Sequence, residues 1–227
     1  MELQEMNSKL SSQEYWDDVL KSAQLPRVNK DSVYLYKVTM RFVDKYIRDT
    51  GYNSFFEVGC GSSGWLPYFA NEYQLRVSGL DYSEIGCKLA RENLDLLGIP
   101  YGDIFCNDFF EPGCTGGKAY DIVFSYGVIE HFEKPENILG IFSSFLNENG
   151  LMITLVPNLN GLLGKLLKYF IKDVYDMHNV ISDQHLKRMH EINGLHIVRN
   201  SYAGIFALGV IPWIRSQKGI FKNSILR

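Results

Sequence analysis

The run Glu57-Val58-Gly59-Cys60-Gly61-Ser62-Ser63-Gly64 constrains this chain more than any other segment. Phe55 and Phe56 lead into it, and Trp65–Tyr73 reads as a helix behind it. A strand that turns tightly through glycines into a helix brings backbone N–H groups close to a ligand. Asp81 stands 22 residues beyond Gly59, at the end of the next apolar run. An acid at that distance suits ribose hydroxyls. The combination calls for a nucleoside cofactor at the edge of a parallel sheet.

The rest of the chain fits such a sheet. Strands are expected at Ser54–Val58, Leu75–Leu80, Tyr101–Cys106, Asp121–Ser125 and Leu151–Val156, with a sixth at Leu195–Ser201 and material for a seventh in 203–211. Ser83 suits the N-cap of a helix carrying Ile85, Leu89, Ala90, Leu94 and Leu97, closed by Gly98 and Pro100. Pro135 opens another, with Ile138, Ile141, Phe142 and Phe145 inward and an end near Asn149-Gly150. Upstream, Tyr15, Trp16, Val19 and Leu20 share a helical face that Pro26 ends, and Val33–Ile47 reads as a second helix. Gly161–Tyr169 and Ser182–Gly194 read as helices after the fifth strand. This alternation implies an α/β fold: a Rossmann-like parallel sheet, mixed at its edge, with helices on both faces. One domain over 1–227 is expected, divided into a helical cap (1–50), a cofactor-binding core (51–160) and a lid, acceptor and final-strand region (161–227).

Bulk properties narrow the partners. A net charge of −3 gives no global reason to expect nucleic acid. Cys60, Cys87, Cys106 and Cys114 lack C-x-x-C spacing, which argues against a zinc knuckle, and the first three read as small core residues. The acidic start Met1-Glu2-Leu3-Gln4-Glu5 has no apolar core of a leader, and no apolar run reaches the ~18 residues of a spanning helix. The cytoplasm is the expected compartment. Leu162–Phe170 and Phe206–Trp213 are apolar with lysines or arginines nearby; a lid or interface helix is preferred there over peripheral membrane contact.

The glycines at 59, 61 and 64 also fit the dinucleotide pattern G-x-G-x-x-G. Three features point away from NAD. Glu57 places a carboxylate where a pyrophosphate would lie, whereas a cofactor carrying a sulfonium and an ammonium tolerates it. Asp108 can accept from an adenine N6 amino group while Phe109 covers the ring. None of the 14 tyrosines has a lysine four residues later.

Taken with Gly79-Leu80-Asp81-Tyr82-Ser83, Asn107-Asp108-Phe109 and Tyr120–Phe132, in order and at matching spacing, the glycine run resembles the class I S-adenosylmethionine-dependent methyltransferases, over roughly residues 50–160. The resemblance implies that Glu57, Gly59, Cys60 and Gly61 form the loop under the methionine part of S-adenosylmethionine. Asp81 would hold the ribose hydroxyls, with Tyr82 against the adenine. Asp108 and Phe109 would fix the base, and Ser125 and Tyr126 would line the methionine side near the methyl. Ser63 stands where many members carry a third glycine.

His131 is the candidate general base for a hydroxyl acceptor, since its segment leads from the fourth strand toward the active face. His178 and His185 are expected on helix surfaces. Val128-Ile129-Glu130-His131 resembles a segment of the ubiquinone-pathway O-methyltransferases and of small-RNA 2′-O-methyltransferases. There a further Glu, three positions before the Glu of Glu-His, helps to bind a divalent metal; Gly127 occupies that position here, so no metal is expected. Arg27, Tyr34, Tyr36, Asn158, Asn160, Tyr169, Tyr175 and His178 are available for an acceptor pocket. The expected activity is methyl transfer to a small-molecule hydroxyl, a sugar or surface-glycan precursor among the options. The alternatives are an NAD-dependent oxidoreductase and a non-catalytic, nucleoside-binding partner of a methyltransferase.

Overall fold

The computed structural model describes residues 8–28 and 34–202. Strands β1 (Ser54–Val58), β2 (Arg76–Asp81), β3 (Ile104–Cys106), β4 (Tyr120–Tyr126) and β5 (Leu146–Leu155) form one parallel sheet in the order β3-β2-β1-β4-β5. Helices α1 (Gln13–Lys21), α2 (Tyr34–Val43), α3 (Trp65–Tyr73), α4 (Glu84–Leu96), α5 (Pro135–Ser143), α6 (Leu162–Phe170), α7 (Lys172–Asp176) and α8 (Asp183–Ile192) surround it. The chain runs outward from β1 to β3, then returns to the other side of β1 at β4. That reversal opens a crevice at the carboxyl ends of β1 and β4, the place where such sheets bind ligands.

Both faces of the sheet are buried, which is why its central strands read as unbroken apolar runs. Neighbouring Phe55 and Phe56 are both fully buried, one on each face. Phe55 joins Trp65, Phe69, Leu94, Ile122 and Phe124, and Phe56 joins Leu80, Tyr120, Ile138 and Phe142. Ser83 caps α4 as its sequence suggests, its hydroxyl accepting from the Gly86 N–H at 3.1 Å. The inward face of α4 is Gly86, Cys87, Ala90, Asn93 and Leu94, while Ile85 and Leu89 are half-buried.

Four expectations are corrected. The helix from Pro135 ends at Ser143, well before Asn149-Gly150, because Leu146 already pairs with Tyr120 and begins β5. Strand β3 starts at Ile104 instead of Tyr101, since the Asp103 N–H is taken by the Ser78 hydroxyl at 3.1 Å. Leu195–Ser201 is not a strand. Its backbone is satisfied elsewhere: the Leu195 N–H donates to His190 O, the Tyr46 hydroxyl to Val198 O, and the Arg199 guanidinium lies over Phe42. Cys106 is exposed instead of buried. An antiparallel edge would rest on 203–211, which lie outside the described residues, as does Phe206–Trp213. Among the described residues no helix is long and apolar enough to cross a membrane.

Asp121 pins the amino end of the sheet. Its Oδ2 accepts from the Asn53 and Ser54 N–H groups and the Ser54 hydroxyl, and its Oδ1 from Asn147. Burial alone would raise its carboxyl, but the donors of Asn53, Asn147 and Ser54 together hold it below the ordinary carboxylate range. A depressed folded pKa contributes stability above the unfolded value of about 3.9, lost as pH falls through the folded value. Asp121→Ala is therefore expected to cost about 1–3 kcal/mol at pH 7 and much less near pH 2, as read from urea unfolding at both. An equal cost at the two pH values would refute the assignment.

Candidate active site

At the carboxyl end of β1 the chain turns through Gly59 and Gly61, whose φ angles are +74° and +33°. A side chain is excluded at Gly59 by space as well, since its Cβ would stand 2.8 Å from Val128 Cγ2. The Gly59 and Cys60 N–H groups both donate to Leu80 O, fastening the loop to β2. Asp81 then gathers the loop and the next helix. Its Oδ2 accepts from the Gly61 N–H at 2.8 Å and its Oδ1 from the Ser83 N–H at 2.9 Å. Burial raises the Asp81 carboxyl, against the two N–H groups that favour its charge.

Glu57 is fully enclosed beneath this loop. Burial pushes its carboxyl well above the ordinary range, offset in part by the Ser63 hydroxyl and the Leu66 N–H at the start of α3. One of its oxygens, Oε2, has no partner. The buried Cys60 lies against Gly79 on β2, its thiol pushed up by the same desolvation.

Register places the next acids in line, with Asp81 opposite Cys106 on β3 and Asp108 just beyond it. Asp108 Oδ2 pairs with Lys9 at 2.8 Å, and the Lys9 ammonium also lies 4.5 Å from the centroid of Tyr82. Asp81, Tyr82 and Asp108 thus share one end of the crevice. Phe109 does not face it as expected. Its ring is buried against Phe132 and Phe142, because the apolar second face of the sheet offers it more contact than an open pocket.

On the other side of β1, Ser125 pairs with Val58 and is buried, while Tyr126 lies partly exposed with its ring 6.2 Å from Trp65. The chain then makes a 3-10 turn, Ile129–His131. His131 is buried, with Nδ1 2.8 Å from Met177 O, so Nδ1 carries the hydrogen. Burial, and then His178 at a ring separation of 4.5 Å, lower the His131 pKa to about 4, leaving the ring neutral at pH 7. Glu130 is equally buried, and desolvation lifts its carboxyl to about 8. His178, expected on a helix surface, is half-buried in this cluster.

Residues 8–28 cover the crevice. Lys9 bridges to Phe132, Trp16 stands edge-on to His131 at 5.0 Å, and the Ser83 hydroxyl donates to Asp17. A Cβ on Gly61 would lie 3.2 Å from Leu20 Cδ2. A hollow of about 530 Å³ lies elsewhere, between α8 and residues 195–200. Sequence reading missed Lys9 and Asp17, and the apolar face of α1 was the only signal that this segment docks; Glu130 stood out in the sequence beside His131 but was given no role once a metal was not expected.

The proposed acceptor residues scatter. Arg27 reaches Ser62 beside the loop at 3.3 Å, Asn158 caps its own turn at Asn160, and Tyr169 is exposed. The side chains of Tyr34 and Tyr36 lie outside the described residues.

The family model for methyltransferase domains matches residues 19–200. A search of the curated proteins found no match. Among solved structures the chain is similar to the plantazolicin methyltransferase BpumL in complex with SAH (S-adenosylhomocysteine). The TM-score is 0.57 at 17% identity, over 79% of this chain and 68% of that one. The cyclopropane synthase MmaA2 from Mycobacterium tuberculosis gives 0.55 at 14%, over 87% and 76%. An O-methyltransferase family protein from Burkholderia thailandensis gives 0.56 at 16%, over 76% and 55%. At such identities the likeness establishes the fold, and the family match spans most of the sequence: the chain belongs to the methyltransferase-domain family and is a class I, S-adenosylmethionine-dependent methyltransferase.

Proposed function

We propose that the protein moves the methyl group of S-adenosylmethionine to a hydroxyl of a small-molecule acceptor, releasing S-adenosylhomocysteine. The observation that carries this reading is the buried Asp81 carboxylate, fastened to the Gly61 and Ser83 N–H groups at the sheet's crevice. A carboxylate has about four lone-pair sites, so it can keep both bonds and still accept from two ribose hydroxyls. Asp108 then accepts from the adenine amino group once Lys9 turns aside, and the methionine end runs along Gly59–Gly61 toward Ser125 and Tyr126.

A sulfonium methyl is already activated, so catalysis consists largely of alignment and exclusion of water. The cover supports both: Leu20 closes on Gly61 and Trp16 on His131. A face covered so closely suits a small acceptor better than a nucleic-acid duplex. His131, a neutral ring beside the reacting end, serves to receive the acceptor's hydrogen as its oxygen attacks.

Calorimetric titration with S-adenosylhomocysteine and with NAD tests the class, and micromolar binding of the first alone is the expected result. Binding of NAD alone would sink the reading. With an acceptor in hand, His131→Ala is expected to lower turnover about 100-fold. Affinity for S-adenosylhomocysteine should be unchanged. Full activity would remove His131 from the reaction.

A further inference from the structure

Lys9 holds the two groups assigned to the base of the cofactor. Asp108 Oδ1 accepts from the Phe110 N–H at 3.2 Å, which leaves Oδ2 for a partner from outside its own turn. The Lys9 ammonium takes that oxygen at 2.8 Å and lies 4.5 Å from the centroid of the Tyr82 ring. One side chain thus engages both the acceptor for the adenine amino group and the aromatic face for the adenine ring. A cation can satisfy the two together, because an ammonium donates to a carboxylate and is drawn to a π face.

The backbone that carries Lys9 is pinned. The Leu10 N–H donates to His131 O at 2.7 Å and the Glu133 N–H to Ser8 O at 3.1 Å, so that Lys9 bridges antiparallel to Phe132. Downstream, the Trp16 indole N–H donates to the Ser11 hydroxyl at 2.9 Å, and the Ser83 hydroxyl donates to Asp17. The ammonium, by contrast, ends a flexible four-carbon stem, and the Lys9 side chain is 26% exposed. Such a stem can withdraw its charged end into water while the cover keeps its place.

The pair competes with the nucleoside. Its carboxylate is as sheltered as its ammonium, at 27% exposure, so salt and water screen it less than a pair on the open surface. Adenine can reach Asp108 Oδ2 only by breaking it. The amino group that replaces the ammonium is uncharged, and a hydrogen bond between a carboxylate and a neutral donor is weaker than one to a cation. When only a fraction of a protein has its site free, apparent affinity falls by that fraction.

We propose that Lys9 is an internal competitor for the adenine subsite, holding Asp108 and Tyr82 until the nucleoside displaces it. The inference rests on the reading of Asp108 as the acceptor for the adenine amino group. Its effect falls equally on S-adenosylmethionine and S-adenosylhomocysteine, which share their base, so the spent cofactor is loosened as much as the fresh one and exchange between turnovers is favoured. A lysine that served only to clasp the cover over a bound nucleoside would do the reverse and strengthen binding.

The test is calorimetric titration of the full chain with S-adenosylhomocysteine and with 5′-methylthioadenosine, which keeps the base and ribose and lacks the amino-acid tail. Lys9→Met removes the charge and keeps most of the stem. It is expected to tighten both ligands about 3- to 10-fold, as the occupied fraction of the subsite is released. Lys9→Arg keeps a cation that pairs with carboxylates and stacks on rings, so its affinities should stay at or below those of the wild type. Unchanged or weaker binding by Lys9→Met, an equal gain in Lys9→Arg, or a gain for S-adenosylhomocysteine that methylthioadenosine does not share overturns the proposal while the cofactor reading stands. A wild type that binds neither ligand removes the cofactor reading itself, and the proposal with it.

Discussion

Replacing Asp81 with alanine is expected to weaken binding of S-adenosylhomocysteine about 5- to 150-fold, the cost of about 1–3 kcal/mol for unpaired polar groups at a closed site. Two effects combine. Ribose hydroxyls lose their acceptor, and the Gly61 N–H loses the Oδ2 that holds the loop in its ligand-bearing shape. Asp81→Asn separates them. It preserves volume and one carbonyl acceptor, so the loop keeps a tie while the charge-assisted part of ribose recognition disappears. An intermediate loss is expected for Asn, with both variants unfolding cooperatively. Wild-type affinity in Asp81→Ala would show that the nucleoside does not lie across this strand end. A loss of affinity accompanied by loss of cooperative unfolding would instead make Asp81 a fold determinant first.

How the cofactor half could be read from the sequence, and the acceptor half could not, follows from where the information lies. Glycines at a strand-to-helix turn and an acid at the next strand end are local demands, set by positive φ angles and by which atoms a ribose offers. Strands buried on both faces show themselves as short apolar runs, as Phe55-Phe56 and Ile122–Phe124 do. Leu195–Ser201 carries the same kind of pattern, yet a strand exists only if an edge accepts it, and here α8 and Tyr46 satisfy its backbone instead. Phe109 illustrates the same limit for a side chain. Its place after Asp108 was legible, but the choice between pocket and core was made by Phe132 and Phe142, distant in sequence. Lys9, Asp17 and His178 reach the site only through docking of the first helix and through the Asn179 N–H, which donates to Glu130 O and ties the segment of His178 to the turn after β4; no local spacing announces either.

Phe124→Ala should show the opposite pattern to Asp81→Ala: a large loss of stability with a small loss of affinity. Phe124 is 1% exposed, and its ring lies 5.6 Å from Phe55, 5.2 Å from Trp65 and 5.6 Å from Phe69. Truncating a core phenylalanine costs about 3–5 kcal/mol, from lost burial and from the cavity left behind. For a chain of this size that corresponds to a fall in Tm of about 6–20 °C. The consequence for the site is directional. Trp65 follows the glycine loop directly and its ring also faces Tyr126, so an indole relaxing into the void draws the loop's end away from the crevice. Affinity for S-adenosylhomocysteine, measured well below the new Tm, should fall less than about tenfold, because Asp81 and its two N–H partners stand on β2 and α4, away from the void. A Tm within about 2 °C of the wild type would mean that this aromatic cluster does not support the loop. An affinity loss as large as that of Asp81→Ala would place the main cofactor contacts on the Trp65 side of β1.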